Sequence, residues 1–326
     1  MVPWISGYTL PAPGVSYICI RRFAPSVIRG NDDGTEIRHL APCQRSPIAY
    51  PHVQQEVAMT RRASFLRGPS SAVFGVVSLC FLLTACGGGG GGGGGAPGQV
   101  PLKTSVIRAM VPGDSWRFSV SGTITDNAGQ FGLTGTASAE ILSSPVISPV
   151  TSDNCSDQYT VMSLNIPGVG TLSIDSHVYF RQDANGSILE YGEGASGFPN
   201  IWVVSTATGH HGYYMNLPSP MGAGFSPVTD NITYNDGTTA TYSIQVTGTD
   251  NVSTGMGRYE SYEVHYNYDS SEPSGAGESI MATMWYVPGL GMIKEDSYVA
   301  SWEGPGMTGY IQLHYTATLT GTSVPY

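Results

Sequence analysis

The sequence has 326 residues, 43 of them glycine, with a formal net charge of −10. Its charge is unevenly distributed, because residues 86–326 hold six Lys or Arg against twenty Asp or Glu. Phosphates and anionic membrane surfaces repel a chain this acidic, and no basic cluster offsets that repulsion, which argues against nucleic-acid binding.

The first 58 residues contain Pro, Arg, His and two cysteines, and they show no sustained periodicity of a helix or a strand. Met59 directly precedes a basic segment, and a start at Met59 would give an export signal of ordinary length. We therefore interpret residues 1–58 as an upstream extension produced by an over-extended gene start. The alternative is a genuine cytoplasmic or disordered leader.

The segment 59–85 has the pattern of an export signal. Arg61, Arg62 and Arg67 form a basic region, and residues 72–85 are almost entirely apolar. This apolar run is shorter than the ~20 residues that a bilayer-spanning helix needs, but it fits the ~7–15-residue apolar region of a signal peptide. A buried core helix is the alternative, and the nine glycines that follow it are unfavourable for one.

The end of this apolar run, Leu83-Thr84-Ala85-Cys86, resembles the lipobox of bacterial lipoproteins. The resemblance implies that Cys86 becomes the first mature residue and carries diacylglycerol on its sulfur. It also implies attachment to the membrane through several acyl chains, since one chain alone binds only marginally. Position 87 is glycine and lacks the Asp that retains lipoproteins of enteric bacteria in the inner membrane, so we expect the outer membrane.

A glycine-rich stretch follows Cys86 and ends at Gly98. About a dozen such residues span roughly 20 Å as a flexible coil, so the segment suits a tether. A phosphate-binding glycine loop is the alternative, but it needs a preceding strand and a following G-K-[ST], and both are missing. We predict a lipid-anchored linker over 86–106 and a single β domain over 107–326.

Beyond the linker, apolar and polar residues alternate with period two, as in half-buried strands. The clearest stretches are SWRFSVSGTIT, TLSIDSHVYFRQ, ATYSIQVTGTDNV and YESYEVHYNYD. Asp183–Gly186 separates two of the predicted strands, and its Asn-Gly pair is typical of a hairpin turn. Capped helical stretches of ten residues are missing. We therefore predict an all-β fold, a single antiparallel β-sandwich or half-open β-barrel.

The stretch MWYVPGLGMIKEDS, residues 284–297, resembles a segment near the end of β-rich secreted proteins and lipoproteins of bacteria whose roles are uncharacterised. GRYESYEV, residues 257–264, resembles the strand that often precedes that segment. Some of these proteins are similar to lipoprotein carriers, in which a curved antiparallel sheet wraps a hydrophobic ligand. The resemblance implies a fold family and no catalytic residue.

Sixteen tyrosines follow Cys86, and two groups of them are candidate ligand-binding residues. Tyr262, Tyr266 and Tyr268 share one face of a predicted strand, and Tyr213 and Tyr214 lie beside two histidines. Aromatic side chains on a concave sheet can line a pocket for an apolar or saccharide ligand. The alternative is ordinary packing between strands.

The remaining candidates for chemistry are weak, and we predict neither a metal site nor a cofactor. Adjacent strand residues such as His210 and His211 point to opposite faces, so they are poorly placed to ligate one ion. Cys155 is the only cysteine after Cys86, and neighbouring Asp residues disfavour the thiolate that a nucleophile needs.

We therefore expect an envelope lipoprotein with a non-enzymatic binding or envelope-maintenance role, attached to the membrane through Cys86. The first alternative is a surface or periplasmic interaction module without a pocket, and the least favoured is a hydrolase. An apolar cavity beneath the tyrosine-bearing sheet would favour the binding role. Carboxylates or histidines that converge in a cleft would favour the hydrolase.

Overall fold

The computed structural model describes residues 99–127, 129–222, 224–303 and 309–326. The signal segment, Cys86 and the glycine tether lie outside the described residues. The strands are β1 (Ser115–Asp126), β2 (Gly129–Ile141), β3 (Val146–Ile147), β4 (Asn154–Ile166), β5 (Gly170–Gln182), β6 (Ile188–Gly194), β7 (Ile201–Thr206), β8 (Tyr214–Leu217), β9 (Val228–Tyr234), β10 (Thr239–Thr254), β11 (Gly257–Ser271), β12 (Gly277–Val287), β13 (Gly291–Trp302) and β14 (Tyr310–Thr322). A helix of the length and hydropathy that a bilayer crossing requires does not occur in these ranges.

All fourteen strands of the described residues belong to one antiparallel sheet that curves into a ring. Thirteen of them follow the order β2-β1-β14-β13-β12-β11-β10-β9-β7-β6-β5-β4-β3, and β8 pairs with β6 beside this path. β2 also pairs with β4, the neighbour of the two-residue strand β3, which closes the ring. The predicted all-β class is confirmed. We predicted a sandwich or a half-open barrel. The structure is a curved sheet in which strand pairing continues around the whole ring.

The alternating pattern of the sequence determines which side chains fill the ring. Trp116, Phe118 and Val120 on β1 are at most 3% exposed, whereas Arg117 and Ser119 between them face solvent. The Trp116 indole N–H also donates a hydrogen bond of 2.8 Å to the carbonyl oxygen of Leu290, a residue in the turn between β12 and β13. Apolar burial and this bond together fix β1 against the interior.

The predicted hairpin at Asp183–Gly186 is confirmed as the turn between β5 and β6. Asp183 Oδ1 accepts hydrogen bonds of 2.8 Å from the backbone N–H groups of both Asn185 and Ser187. Gly186 has a φ of 91°, which a residue without a side chain adopts without strain. The glycine of the Asn-Gly pair therefore supplies the positive φ that this turn requires.

Two regions differ in detail from the strand pattern expected from sequence. Residues 215–231 contain three prolines and two glycines, a composition typical of a loop, but most of β8 and the first residues of β9 lie in this stretch. The alternation in β9 is hidden because Asp230, only 5% exposed, occupies an inward position. At the start of the domain, Val100 already pairs with β11. The Val100 N–H donates a 2.8 Å hydrogen bond to the Arg258 carbonyl oxygen, and the Val100 carbonyl oxygen accepts a 2.9 Å hydrogen bond from the Glu260 N–H.

Candidate functional site

The candidate tyrosines of β11 all contact the interior core of the ring. Tyr266 and Tyr268 are 4% and 5% exposed, and their rings stack with centroids 6.5 Å apart. Tyr262 is half-buried and packs against the same core. Their contact with a ligand stays a prediction, because in this conformation other side chains surround the two deeper rings.

The two candidate tyrosines beside the histidines separate onto different sides of the sheet. Tyr214 is fully buried in the interior, with its ring centroid 4.7 Å from that of Tyr242. Tyr213 packs on the outer side, 5.0 Å from the exposed ring of His210 and 5.4 Å from Tyr191. The structure therefore brings four of the five predicted site residues to one core and leaves Tyr213 apart.

Buried carboxyl groups accompany the interior tyrosines. Glu190 is 0% exposed, and its Oε2 accepts a 2.7 Å bond from the Tyr214 hydroxyl and a 2.6 Å bond from Asn216 Nδ2. Burial raises the pKa of Glu190 to about 8, and the nearby Glu193 adds to that rise. A carboxyl group in this environment holds its proton at neutral pH.

A bulge explains how two glutamates of β6 both reach the interior. The pairing of β5 with β6 shifts between Tyr179 and Phe180, so that Glu190 lies opposite Phe180 and Glu193 opposite Val178. Phe180 and Val178 are both core residues. Without the bulge, residues three apart on one strand would face opposite sides.

A third buried glutamate, Glu278 on β12, belongs to the same cluster. It is 2% exposed, and neither of its carboxyl oxygens accepts a hydrogen bond from a described residue. Burial raises the pKa of Glu278 well above its usual range, and the nearby Glu193 carboxyl group adds to this rise. Glu190 and Glu278 can therefore hold and donate protons in the interior. Three side chains placed to ligate one metal ion do not occur in the described ranges.

These three glutamates were not identified from the sequence. Glu278 has a visible signal, because it shares the alternation of the core residues Ile280, Ala282 and Met284. Glu190 and Glu193 have no comparable signal, since their shared orientation depends on the bulge.

A second, smaller aromatic cluster covers the outer side of β4 to β7 and contains Cys155. Tyr179 and Trp202 stack there with ring centroids 4.7 Å apart. Burial, and then the Asp153 carboxylate, raise the pKa of the Cys155 thiol to about 11. Cys155 is 0% exposed, so its role in the structure is that of a small core residue.

The outer face of β11 to β14 carries a solvent-facing depression of about 260 Å³, which we call the β12 pocket. Two of its histidines are held by carboxylates: His314 Nε2 lies 2.9 Å from Asp296 Oδ1, and His265 Nε2 lies 2.8 Å from Glu263 Oε1. The residues that line it are His265, Asn267, Met281, Ala282, Thr283, Asp296, Tyr298 and His314. Sequence spacing did not identify this site, because its side chains come from four strands.

No protein-family model and no curated protein matches the chain. Two solved structures resemble it over 67% and 68% of its length, each at 13% identity. One, from Bacteroides fragilis, is provisionally described as an exported protein with a YmcC-like fold, and 99% of it is covered at a TM-score of 0.32. The other, from Parabacteroides distasonis, is provisionally described as a lipoprotein, and 98% of it is covered at a TM-score of 0.28. At these TM-scores the two likenesses carry no argument about function.

Proposed function

We propose that the protein is a lipid-anchored envelope protein of the outer membrane whose β domain is a non-enzymatic binding module. The anchor is supported by the order of four sequence features: a basic segment, an apolar segment, Leu83-Thr84-Ala85-Cys86 and a glycine tether. The membrane is then one partner of the protein, reached through the lipid on Cys86.

The β12 pocket is the observation that carries the binding role. It also brings His265, His314 and Asp296 together, as a hydrolase would, but it is open to solvent, whereas hydrolytic sites exclude water to strengthen their electrostatic interactions. Tyr266 and Tyr268 are almost fully enclosed, so a ligand reaches them only if the ring opens. The β12 pocket presents imidazole, carboxylate, amide, thioether and phenol groups directly to solvent. A binding module that keeps its interior packed would recognise its ligand on this outer face.

A second candidate is a ligand held inside the ring, and Glu278 favours it. A buried carboxyl group without a hydrogen bond is costly, and a ligand with a donor group would remove that cost. Native mass spectrometry of the purified chain separates the two candidates. A co-purified molecule that is lost in Tyr266→Phe and kept in Tyr298→Ala would favour the interior, and the reverse would favour the outer face.

The anchor is tested by metabolic labelling with a palmitate analogue, followed by membrane fractionation. Cys86→Ala is expected to abolish the label and to release the protein from the membrane fraction. Cys80→Ala is the matched control, because it changes another cysteine of the same signal segment and leaves the lipobox intact. Label that persists in Cys86→Ala contradicts the proposal.

A further inference from the structure

We infer that the β12 pocket is a saccharide site that takes one neutral pyranose ring. This inference rests on the proposed binding role of the outer face and gives it a chemical class of ligand. It follows from the size of the pocket, its apolar platform, its hydrogen-bonding groups and the absence of basic residues among those that line it.

The pocket has walls on β11 and β13 and a floor on β12. His265 and Asn267 form one wall, and Asp296 and Tyr298 form the other. The walls are two strand spacings apart, about 10 Å between backbones. The volume of about 260 Å³ lies just below the roughly 300–1,000 Å³ of pockets for drug-sized ligands, which suits a single ring.

The apolar platform consists of Tyr298 and Met281. The two residues lie directly opposite each other in the pairing of β12 with β13, and Met281 is 51% exposed. Gln312 also donates a hydrogen bond to the Tyr298 hydroxyl. An aromatic ring beside a polarisable thioether offers a flat surface for the C–H face of a sugar.

The polar groups around the platform match sugar hydroxyls, which both donate and accept hydrogen bonds. Asp296 bonds to His314 through Oδ1, so its Oδ2 is available as an acceptor. Asn267 donates from Nδ2 to Ser243 at 3.2 Å, which leaves its carbonyl oxygen as a second acceptor. Each histidine directs Nε2 at a carboxylate, so Nδ1 stays available to a ligand.

The charge of the pocket selects against anionic ligands. No Lys or Arg is among its lining residues, and Asp296 contributes a negative charge. Lys294, on the same strand as Asp296, lies over the Trp285 ring with its Nζ 4.2 Å from the centroid. Phosphorylated or sulfated sugars would meet an uncompensated carboxylate, so a neutral sugar is the better match.

The test uses the purified full chain in a detergent without a sugar headgroup, so that the micelle does not compete for the site. Glucose, galactose, mannose and N-acetylglucosamine are each examined by saturation-transfer NMR. At least one is expected to receive saturation from the wild-type protein. Tyr298→Ala is expected to abolish the transfer, and Asp296→Asn to weaken the affinity about tenfold, as for loss of a hydrogen bond to a charged group.

Two further variants keep the test decisive. Tyr298→Phe retains the ring and is expected to retain binding, whereas Asp269→Asn changes an exposed carboxylate of β11 that does not line the pocket and is expected to bind as wild type. The inference is overturned if none of the four sugars receives saturation. It is also overturned if Tyr298→Ala and Asp296→Asn both bind as wild type. Palmitate labelling of Cys86 does not depend on these outcomes, so the proposed anchor and the proposed saccharide site are tested independently.

Discussion

Two arcs of the ring, which β4 and β5 connect on one side, differ in regularity. The long arc contains β10 to β14, β1 and β2, whose strands are 11 to 16 residues long. The short arc contains β6 to β9, whose strands are 4 to 7 residues long. β10 and β11 form fifteen residue pairs, whereas β6 and β7 form only two.

The two arcs also differ in what they direct inward. Most inward positions of the long arc are apolar or aromatic, with Glu278 and Glu295 as buried exceptions that keep the alternation, and the outer-face pocket lies over its β12 strand. The short arc directs Glu190, Glu193 and Asp230 into the interior, and register shifts interrupt its short pairings. In β6 the departure from the alternating pattern therefore coincides with two buried carboxyl groups, as at sites where other demands override packing.

The largest expected effect tests the short arc through pH. The folded protein holds a proton on Glu190 up to a pKa of about 8, whereas the unfolded chain releases it above 4.5. The unfolded state binds fewer protons between these values, so the free energy of unfolding falls as pH rises, by on the order of 1 kcal/mol per pH unit. Glu190→Gln cannot lose a proton and is expected to be more stable than wild type at pH 8 and similar to it at pH 4.5.

Urea unfolding across this pH range measures the difference. Glu140→Gln is the matched control, because Glu140 is exposed on β2 of the long arc and is expected to leave the pH profile unchanged. Equal pH profiles for Glu190→Gln and wild type would show that Glu190 is ionised in the folded state. The buried carboxyl group of Glu190 would then make no pH-dependent contribution to stability.

The next effect tests how closely the long arc is packed. A Cβ at Gly122 of β1 would overlap the carbonyl oxygen of His314 and lie 2.7 Å from Tyr315 Cα, so the backbone of β14 would have to move. Gly122→Ala is expected to lower the free energy of unfolding by about 1–3 kcal/mol. A Cβ at Gly132 on the adjacent strand β2 meets nothing within 4 Å, so Gly132→Ala is the control.

Thermal and urea unfolding of the two alanine variants give the comparison directly. Gly132→Ala is expected to be neutral or slightly stabilising, because alanine restricts the unfolded chain more than glycine does. Equal stability of the two variants would mean that β1 and β14 are farther apart than the structure shows.

The same division explains what could be predicted from the sequence. In the long arc, residues such as Trp116 and Phe118 alternate with polar residues, so the strands and the inward faces are evident from the pattern. In the short arc, Asp230 occupies a core position and the bulge in β6 brings Glu190 and Glu193 to the same face, so the pattern is broken. The β12 pocket depends on the pairing order of four strands, which local sequence does not encode.

The smallest expected effect separates a second pH-dependent group from the interior carboxyls. His177 lies on β5 with Nδ1 2.9 Å from Asp157 Oδ1, and this hydrogen bond raises the pKa of His177 above 6.5. Its stabilising contribution is complete below the unfolded pKa of 6.5 and is lost as pH rises through the higher folded pKa. Because the histidine is partly exposed, His177→Gln is expected to cost under about 1 kcal/mol at pH 5.5 and less at alkaline pH.

Urea unfolding of His177→Gln, with the exposed His211→Gln as control, measures this contribution. The two pH-dependent groups act in different ranges, since the effect of Glu190 begins near pH 4.5 and that of His177 only near pH 6.5. A His177→Gln variant that keeps the decline from pH 4.5 assigns that decline to the interior carboxyls. If His177→Gln instead removed the whole decline, the pH dependence would arise from the outer face of β5, and the interior of the short arc would contribute none of it.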